Sequence, residues 1–189
     1  MKLFAITIAS GAALMSAAAW GTAANLPAMH AYGHCAAQRA PKDVTYLLDQ
    51  DYRGAGYNNG LKALAKKTAG CQGASAGGGV FAGILAEELL EYGHTPKQVA
   101  TMIGKAPKKP VGSKDVTENA ALCAVQANAG GVAQLLASGY GSKEETAAFR
   151  GLTPALNTCL KGKKLGAGGT ELRSIIALAA FRNFRAAGG

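Results

Sequence analysis

The sequence predicts an all-α protein of two tandem, similar helical units, with about four short helices and one disulfide in each unit. The chain is rich in alanine, leucine and glycine and has few runs of β-branched residues, which favours helices over strands. One stretch also occurs twice: HCAAQRAPKDVTYLLDQDY begins at residue 34, and LCAVQANAGGVAQLLASGY begins at residue 122. Both copies carry a cysteine near the front and a Leu-Leu pair, so we interpret the chain as a tandem repeat.

The cysteines set the register of the repeat. Cys35 and Cys71 lie 36 residues apart, and so do Cys123 and Cys159. A shift of 88 positions superimposes the two pairs and gives nine identities in 37 positions, where chance in an alanine-rich chain gives roughly three. We call positions related by this shift equivalent. Four cysteines in an oxidising compartment indicate two disulfides, and the equal spacing predicts the pairs Cys35–Cys71 and Cys123–Cys159.

The N-terminal segment predicts export. Residues 1–24 have a basic start, an apolar run and then small residues, which is the pattern of a secretory signal peptide. Cleavage is expected after Ala23 or Ala24, or after Ala19. No later stretch is long and uncharged enough to cross a bilayer. We therefore predict a secreted or periplasmic protein with no transmembrane segment after signal cleavage.

The rest of the chain divides into unit 1 at 25–107, a linker rich in lysine at 108–115, and unit 2 at 116–189. Each unit is predicted to start with a helix around its first cysteine, followed by a short amphipathic helix, DVTYLLDQ or GVAQLLAS. A third helix leads to the second cysteine, and an apolar helix ends the unit. These last helices match after a further shift of three residues, which lays FAGILAEELL at 81–90 on LRSIIALAAF at 172–181.

Capping residues predict where some of these helices begin. In unit 1, Thr95 followed by Pro96 predicts an additional helix that unit 2 lacks. In unit 2, Ser142 and Glu145 predict a capping box at the start of the third helix. The Thr-Pro pair at 153–154 then predicts that this helix breaks and restarts.

The Cys-Ala-x-Gln and Leu-Leu motifs and the last helix of each unit resemble a family of secreted, cysteine-containing helical-repeat proteins of alphaproteobacteria, sphingomonad-type. That family has a Cys-led helix and a later Leu-Arg-Gly-x-Leu-Ala-Glu-x-Leu helix, and no function is associated with it. The residues that match part of this helix are Gly83, Ala86 and Glu87 in unit 1 and Leu172, Arg173 and Ala177 in unit 2. The resemblance implies a secreted helical protein and no particular activity.

Glu88 is the first candidate site residue. A helical wheel places it inside the apolar stripe of its helix, between Phe81 and Leu85, and unit 2 has Ala179 in the matching place. A buried carboxylate needs a partner or a raised pKa, and such groups gather at functional sites. The alternative is that the stripe frays there and that Glu88 is solvated.

His30 and His34 form a second candidate. They are four residues apart, so they share one face of a helix, where two imidazoles can hold a metal. No third ligand is evident in the sequence nearby, and an exposed pair is the alternative interpretation. We predict no metal and no cofactor. No nucleophile or phosphate-loop motif points to catalytic residues.

Charge is the third signal. The formal net charge is +9, and it is uneven: residues 25–107 carry 8 basic and 6 acidic side chains, whereas residues 108–189 carry 11 and 5. A basic surface favours anionic partners such as lipid headgroups, lipopolysaccharide or acidic glycans, and export argues against nucleic acid. The candidate residues for this surface are Lys108, Lys109, Lys161, Lys163, Lys164, Arg182 and Arg185.

These features favour a secreted, non-enzymatic module that binds an unknown ligand or protein, because the chain has disulfides and a duplication but no catalytic constellation. The first alternative is a basic protein that binds an anionic component of the cell envelope. The second alternative is a hydrolase of envelope polymers that uses Glu88 or Glu87 together with a second carboxylate.

Overall fold

The computed structural model describes residues 25–73 and 78–189, so the predicted signal peptide lies outside the described residues. In the described ranges all regular structure is helical, which confirms the predicted fold class. Both predicted disulfides, Cys35–Cys71 and Cys123–Cys159, are also confirmed. The helices in these ranges are α1 Leu26–Arg39, α2 Pro41–Leu48, α3 Ala55–Lys67, α4 Gly79–Glu91, α5 Pro96–Ile103, α6 Val116–Ala127, α7 Ala129–Leu136, α8 Lys143–Leu160 and α9 Gly169–Ala186.

The helix boundaries agree with the proposed repeat. The second helices, α2 and α7, begin and end at equivalent residues, and the third helices begin at the equivalent residues Ala55 and Lys143. The additional helix predicted in unit 1 is α5. It starts with a complete capping box. The Thr95 hydroxyl accepts a hydrogen bond from the backbone N–H of Gln98, and the Gln98 side-chain oxygen accepts one from the backbone N–H of Thr95.

The predicted start of α8 is only partly a capping box. The Ser142 hydroxyl accepts a hydrogen bond from the backbone N–H of Glu145, at 3.0 Å. The Glu145 carboxylate accepts from the backbone N–H of Gly141 instead of that of Ser142, at 2.7 Å. Ser142 therefore caps the start of the helix, and the Glu145 side chain bonds to Gly141, the residue before the cap.

The predicted break at residues 153–154 is wrong, because α8 runs without interruption from Lys143 to Leu160 and contains Pro154. The proline lies on the exposed face, whereas Leu152 and Leu156 on either side of it are buried. A proline inside a helix costs about 3 kcal/mol or more. Packing of the two flanking leucines against the core offsets that cost and keeps one continuous helix.

Helices α4 and α9 form the centre of the fold. Residues 81–87 of α4 are buried without interruption, and so are residues 172–181 of α9. The two helices cross where Gly83 meets Ser174, which are matching positions in the last helix of each unit. One continuous apolar cluster contains residues from α1 to α9 and thus from both units. None of the described helices combines the length and apolarity of a membrane span.

Helix α5 belongs to unit 1 in sequence but packs on α7 and α9 of unit 2. The Asn183 side chain holds its C-terminal end, because the amide nitrogen donates to the carbonyl oxygens of Ile103 at 2.6 Å and Lys105 at 3.1 Å. The linker is tied down as well, since the Lys108 backbone N–H donates to the carbonyl of Ala186 at 2.8 Å. The two units are therefore interlocked.

Candidate functional site

A buried ion pair joins the two units. Arg173 of α9 is 1% exposed and forms two hydrogen bonds to the carboxylate of Glu87 on α4, through Nη2 to Oε1 and through Nε to Oε2. The Tyr140 hydroxyl donates to Glu87 Oε2 at 3.1 Å, and the Tyr140 ring lies 3.8 Å below the guanidinium. Two parallel bonds and a cation–π contact fix the orientation of both charged groups.

The remaining donors of Arg173 hold the turn that joins α7 to α8. Nη2 donates to the carbonyl oxygens of Leu136 at 2.7 Å and Ser138 at 2.9 Å. Nη1 donates to the Ser138 hydroxyl at 3.3 Å and to Glu145 Oε1 at 3.0 Å. Each nitrogen of the guanidinium therefore has a partner. We call Arg173, Glu87, Tyr140, Ser138 and Glu145 the Arg173 network.

The pKa shifts in the Arg173 network follow from burial and pairing. Burial raises the pKa of Glu87, and the hydrogen bonds from Arg173 and Tyr140 oppose that rise. Burial acts to lower the pKa of Arg173, but Glu87 raises it above its ordinary value. Burial and the nearby Glu87 carboxylate both raise the pKa of Tyr140. Arg173 and Tyr140 therefore keep their protons throughout the physiological range.

The two candidate histidines lie next to this network, and both contact the candidate acid. His30 Nδ1 lies 3.0 Å from Glu88 Oε1, and His34 Nδ1 lies 3.0 Å from Glu88 Oε2. The Gln38 amide nitrogen lies 2.6 Å from His34 Nε2. If Gln38 donates this bond, a neutral His34 carries its proton on Nδ1 and donates it to Glu88. We call His30, His34 and Glu88 the His30 cluster.

The burial of the two adjacent acids differs from the sequence interpretation. The Glu88 side chain is 16% exposed and bonded to the histidines, whereas the Glu87 side chain is 4% exposed. A single apolar stripe does not describe α4, because α1 and α9 both pack against it. Gly33 permits the close approach of α1, since a Cβ atom there would lie 3.2 Å from Ile84 Cγ2.

Glu91 is a third acid on the same helix, one turn beyond Glu87 and Glu88. Burial raises the pKa of Glu91 to about 8, and the nearby Glu87 carboxylate adds to the rise, while Arg173 opposes it. Within residues 25–73 and 78–189, no group of three or more His, Cys, Asp or Glu side chains has an arrangement that could hold a metal ion.

A second polar cluster lies at another contact between the two units. Arg53 Nη1 donates to Glu118 Oε1 at 2.6 Å, and Arg182 Nη1 donates to Glu118 Oε2 at 3.4 Å. The Arg53 guanidinium lies 4.2 Å above the Tyr52 ring. We call Glu118, Arg53, Arg182 and Tyr52 the Glu118 cluster. Its members Glu118, Arg53 and Arg182 line part of a polar cleft of about 640 Å³.

The predicted cationic residues divide into two groups. Arg182 is paired with Glu118, and Arg185 Nη2 lies 3.5 Å from Asp49 Oδ2. The other five have no carboxylate within 4.0 Å among the described residues. These five are Lys108, Lys109, Lys161, Lys163 and Lys164. The arginines thus contribute to the fold, and the lysines keep their charges available at the surface.

An open groove of about 950 Å³ lies beside the Arg173 network, between the start of α5, α7 and the first half of α8. We call it the α7–α8 groove. It is lined by Pro96, Asn128, Gly130, Gly131, Gln134, Ala137, Ser138, Gly139, Glu144, Ala147, Ala148 and Gly151. A Cβ atom added at Gly130 or Gly151 would meet no atom within 4 Å, so the helices are bare at these points.

The α7–α8 groove was not predicted from the sequence. The side chains that form its walls are smaller than those at the equivalent positions of unit 1. Gly130, Gly151 and Gln134 are equivalent to Lys42, Ala63 and Tyr46. The glycines of α7 were the available signal, but they indicate a groove only once α5 and α8 are placed beside them.

Comparisons of the chain with protein-family models, with curated proteins and with solved structures find no match. The resemblance to secreted proteins of alphaproteobacteria therefore stays a prediction.

Proposed function

We propose that the protein is a secreted, non-enzymatic binding module that holds a segment of a partner protein in the α7–α8 groove. The observation that carries this proposal is the open groove of about 950 Å³, whose size lies within the range of typical ligand pockets. Its walls combine alanine and glycine surfaces with a few polar groups, which suits a peptide segment packed closely against two helices.

The walls of the groove are held in place from inside the fold. Arg173 fixes the carbonyl oxygens of Leu136 and Ser138, and Ser138 forms part of the rim. The disulfide Cys123–Cys159 links α6 to the far end of α8. A pre-organised site loses less conformational entropy on binding, so it retains more of the interaction free energy as affinity.

The acids on α4 favour binding over hydrolysis as the function. Both oxygens of Glu87 accept hydrogen bonds from Arg173, and both oxygens of Glu88 lie 3.0 Å from a histidine. A glycosidase acid or nucleophile needs a carboxylate that faces substrate. Glu87 and Glu88 are instead engaged within the protein. Two disulfides also suit an extracellular or periplasmic module.

Site-specific photo-crosslinking in the producing cell tests the proposal. A photoreactive amino acid is placed at Gln134 in the groove and, as a matched control, at Tyr46, its exposed equivalent in unit 1. The expected result is a covalent adduct with one identified protein from position 134, which is lost when Gly151→Leu fills the groove. The purified partner should bind wild type and not the Gly151→Leu variant.

Two outcomes would contradict a partner site in the groove. One is a set of adducts that is the same from both positions. The other is binding of the purified partner that Gly151→Leu leaves unchanged. Because a Cβ atom at Gly151 meets open space, this variant is expected to fold, and circular dichroism and thermal unfolding are the measurements that check this.

The second candidate function is binding to an anionic envelope surface. Its support is the set of five lysines without a carboxylate partner, three of which, Lys161, Lys163 and Lys164, lie in the loop between α8 and α9. Lysines near an anionic membrane each contribute about 1 kcal/mol, and the interaction falls with salt.

Vesicle binding tests the second candidate. Vesicles of phosphatidylcholine alone are compared with vesicles that also contain phosphatidylglycerol. The triple replacement of Lys161, Lys163 and Lys164 by Gln should reduce binding to the anionic vesicles, whereas replacement of the exposed Lys62, Lys66 and Lys97 should reduce it less. Equal losses for the two triple variants would indicate net charge alone and contradict a specific surface.

A further inference from the structure

We infer that Glu144 makes the α7–α8 groove selective for an apolar peptide segment that carries a basic side chain. This inference rests on the proposed function, since it names the chemistry of the partner segment that the groove takes. The bound segment then carries a lysine or arginine, and Glu144 is the counterion of that side chain.

Of the residues in the described part of the chain, Glu144 is the only charged one that lines the groove. It is exposed, and among the described residues no basic nitrogen lies within 4.0 Å of its carboxylate, which accepts no hydrogen bond from them. The adjacent acid differs in both respects, because Glu145 is bonded to Arg173 and to the backbone of Gly141. One acid of this helix turn is therefore structural, and the other is available to a ligand.

The start of α8 is a favourable place for the negative charge of Glu144. This residue lies in the first turn of α8, where the partial positive charge of the helix N-terminus stabilises a carboxylate. A guanidinium matches a carboxylate with two parallel hydrogen bonds, so arginine is expected to be preferred over lysine at this point of the ligand. The alanines of the groove, such as Ala147 and Ala148, offer apolar surface to the rest of the segment.

Selection of a basic segment runs against the charge of the whole protein. With a formal net charge of +9, non-specific attraction favours acidic peptides. At physiological salt such long-range attraction is screened over about 8 Å, so contacts within the groove decide the preference. Enrichment of basic residues would therefore report on Glu144 and not on net charge.

A peptide-display experiment tests the inference. A library of random peptides on phage is selected against the oxidised wild-type protein, and the selected peptides are then measured individually against wild type, Glu144→Gln and Glu144→Lys. Glu171→Gln is the matched control, because Glu171 is also an exposed acid in the first turn of a helix. A peptide belongs to the groove if Gly151→Leu abolishes its binding.

The expected result is that groove peptides share a lysine or arginine among apolar residues. Their binding should weaken about fivefold with Glu144→Gln, the size of a partly exposed ion pair, and remain unchanged with Glu171→Gln. Selection against Glu144→Lys should enrich acidic peptides instead.

The failures are distinguishable. Groove peptides without a shared basic residue, or groove peptides that bind Glu144→Gln as tightly as wild type, would overturn the role of Glu144 and leave the groove function standing. A selection that yields no peptide sensitive to Gly151→Leu would overturn the peptide-binding groove and the role of Glu144 together.

Discussion

Gly83 of α4 and Ser174 of α9 are in contact where the two central helices cross, and a Cβ atom at Gly83 would overlap the backbone of Ser174. The two residues occupy matching positions in the last helices of the two units. When like positions meet in this way, the interface resembles the two-fold contact of a homodimer, in which the same patch is used by both sides. The relationship supports a duplication in which the two copies pack face to face.

Gly83→Ala is predicted to destabilise the protein by about 1–3 kcal/mol, the usual cost of adding a methylene or methyl group to a packed core. The added methyl would collide with backbone atoms of Ser174, which cannot turn away as a flexible side chain could. Urea unfolding monitored by circular dichroism measures the change in the free energy of unfolding.

Gly151→Ala is the matched control for Gly83→Ala. Gly151 is also inside a helix, but it is exposed and has no atom near its added Cβ. Alanine has a higher helix propensity than glycine, so this variant should be more stable than wild type by about 1 kcal/mol. If Gly83→Ala is as stable as wild type, or gains stability as Gly151→Ala is expected to do, the close crossing of α4 and α9 is contradicted.

The polar contacts between the units show the same reciprocity. Tyr140 of unit 2 lies with its ring 4.7 Å from that of His30 in unit 1. The equivalent residues exchange roles, since Tyr52 of unit 1 lies beside Glu118 of unit 2. Burial, and after it the Glu118 carboxylate, raises the pKa of Tyr52 to about 12. Corresponding places thus carry different chemistry, histidine in one and glutamate in the other.

The Arg173–Glu87 ion pair is predicted to be strongly coupled. Arg173→Ala alone leaves the buried Glu87 carboxylate without a cation, and Glu87→Leu alone leaves the buried Arg173 guanidinium with Glu145 as its remaining carboxylate partner, so each should cost about 3–5 kcal/mol. The double variant should cost clearly less than the sum of the two single losses, because neither charge of the pair is left behind. Alanine and leucine are used as replacements since Ala82 and Leu178, both buried without charge, occupy the matching positions. A double-mutant cycle of urea unfolding free energies measures the coupling.

Additive losses in that cycle would contradict a direct pair. The double variant also separates stability from binding. Since Arg173 holds the Leu136 and Ser138 carbonyl oxygens, the double variant should bind groove peptides more weakly even under conditions where it is fully folded.

Local features of the sequence were sufficient to predict the helices, apart from the break at Pro154, and the repeat was sufficient to predict the disulfides. The apolar spacing of α2 and α7 and the Thr95–Pro96 cap depend on residues within one or two turns. The equal spacing of the cysteines carried the pairing. The prediction at Pro154 failed because a local rule, that proline breaks a helix, was outweighed by packing with distant residues.

The candidate site depended on contacts that are distant in sequence. Arg173 and Glu87 are 86 residues apart, and they meet only because α4 and α9 cross at Gly83. The helical wheel placed Glu88 in the apolar stripe, yet Glu87 is the more buried acid, since α4 is covered on more than one side. Pairs across a tertiary contact leave no periodic signal in either helix.

The two disulfides are predicted to contribute about equally to stability. Both close loops with a sequence separation of 36, for which chain entropy gives about 3–4 kcal/mol each. Replacing Cys35 and Cys71 by Ser, or Cys123 and Cys159 by Ser, should therefore lower the free energy of unfolding by similar amounts. Urea unfolding of each double variant, with reduced wild type as the reference for losing both, checks this. A variant as stable as oxidised wild type would show that its disulfide does not stabilise the fold.

Glu91 is predicted to make the protein more stable in mild acid than at alkaline pH. Its folded pKa is raised by burial from 4.5 to about 8, so between these values the folded state holds a proton that the unfolded state has released. Stability therefore falls as pH rises from about 4.5 to about 8 and levels off above that range. Glu91→Gln removes this dependence and should be more stable than wild type at pH 8.

The measurement is the difference between the urea unfolding free energies of wild type and variant across this range, with Glu171→Gln, which removes an exposed acid, as the control. If the curves of wild type and Glu91→Gln run parallel over the whole range, Glu91 does not hold a proton in the folded protein.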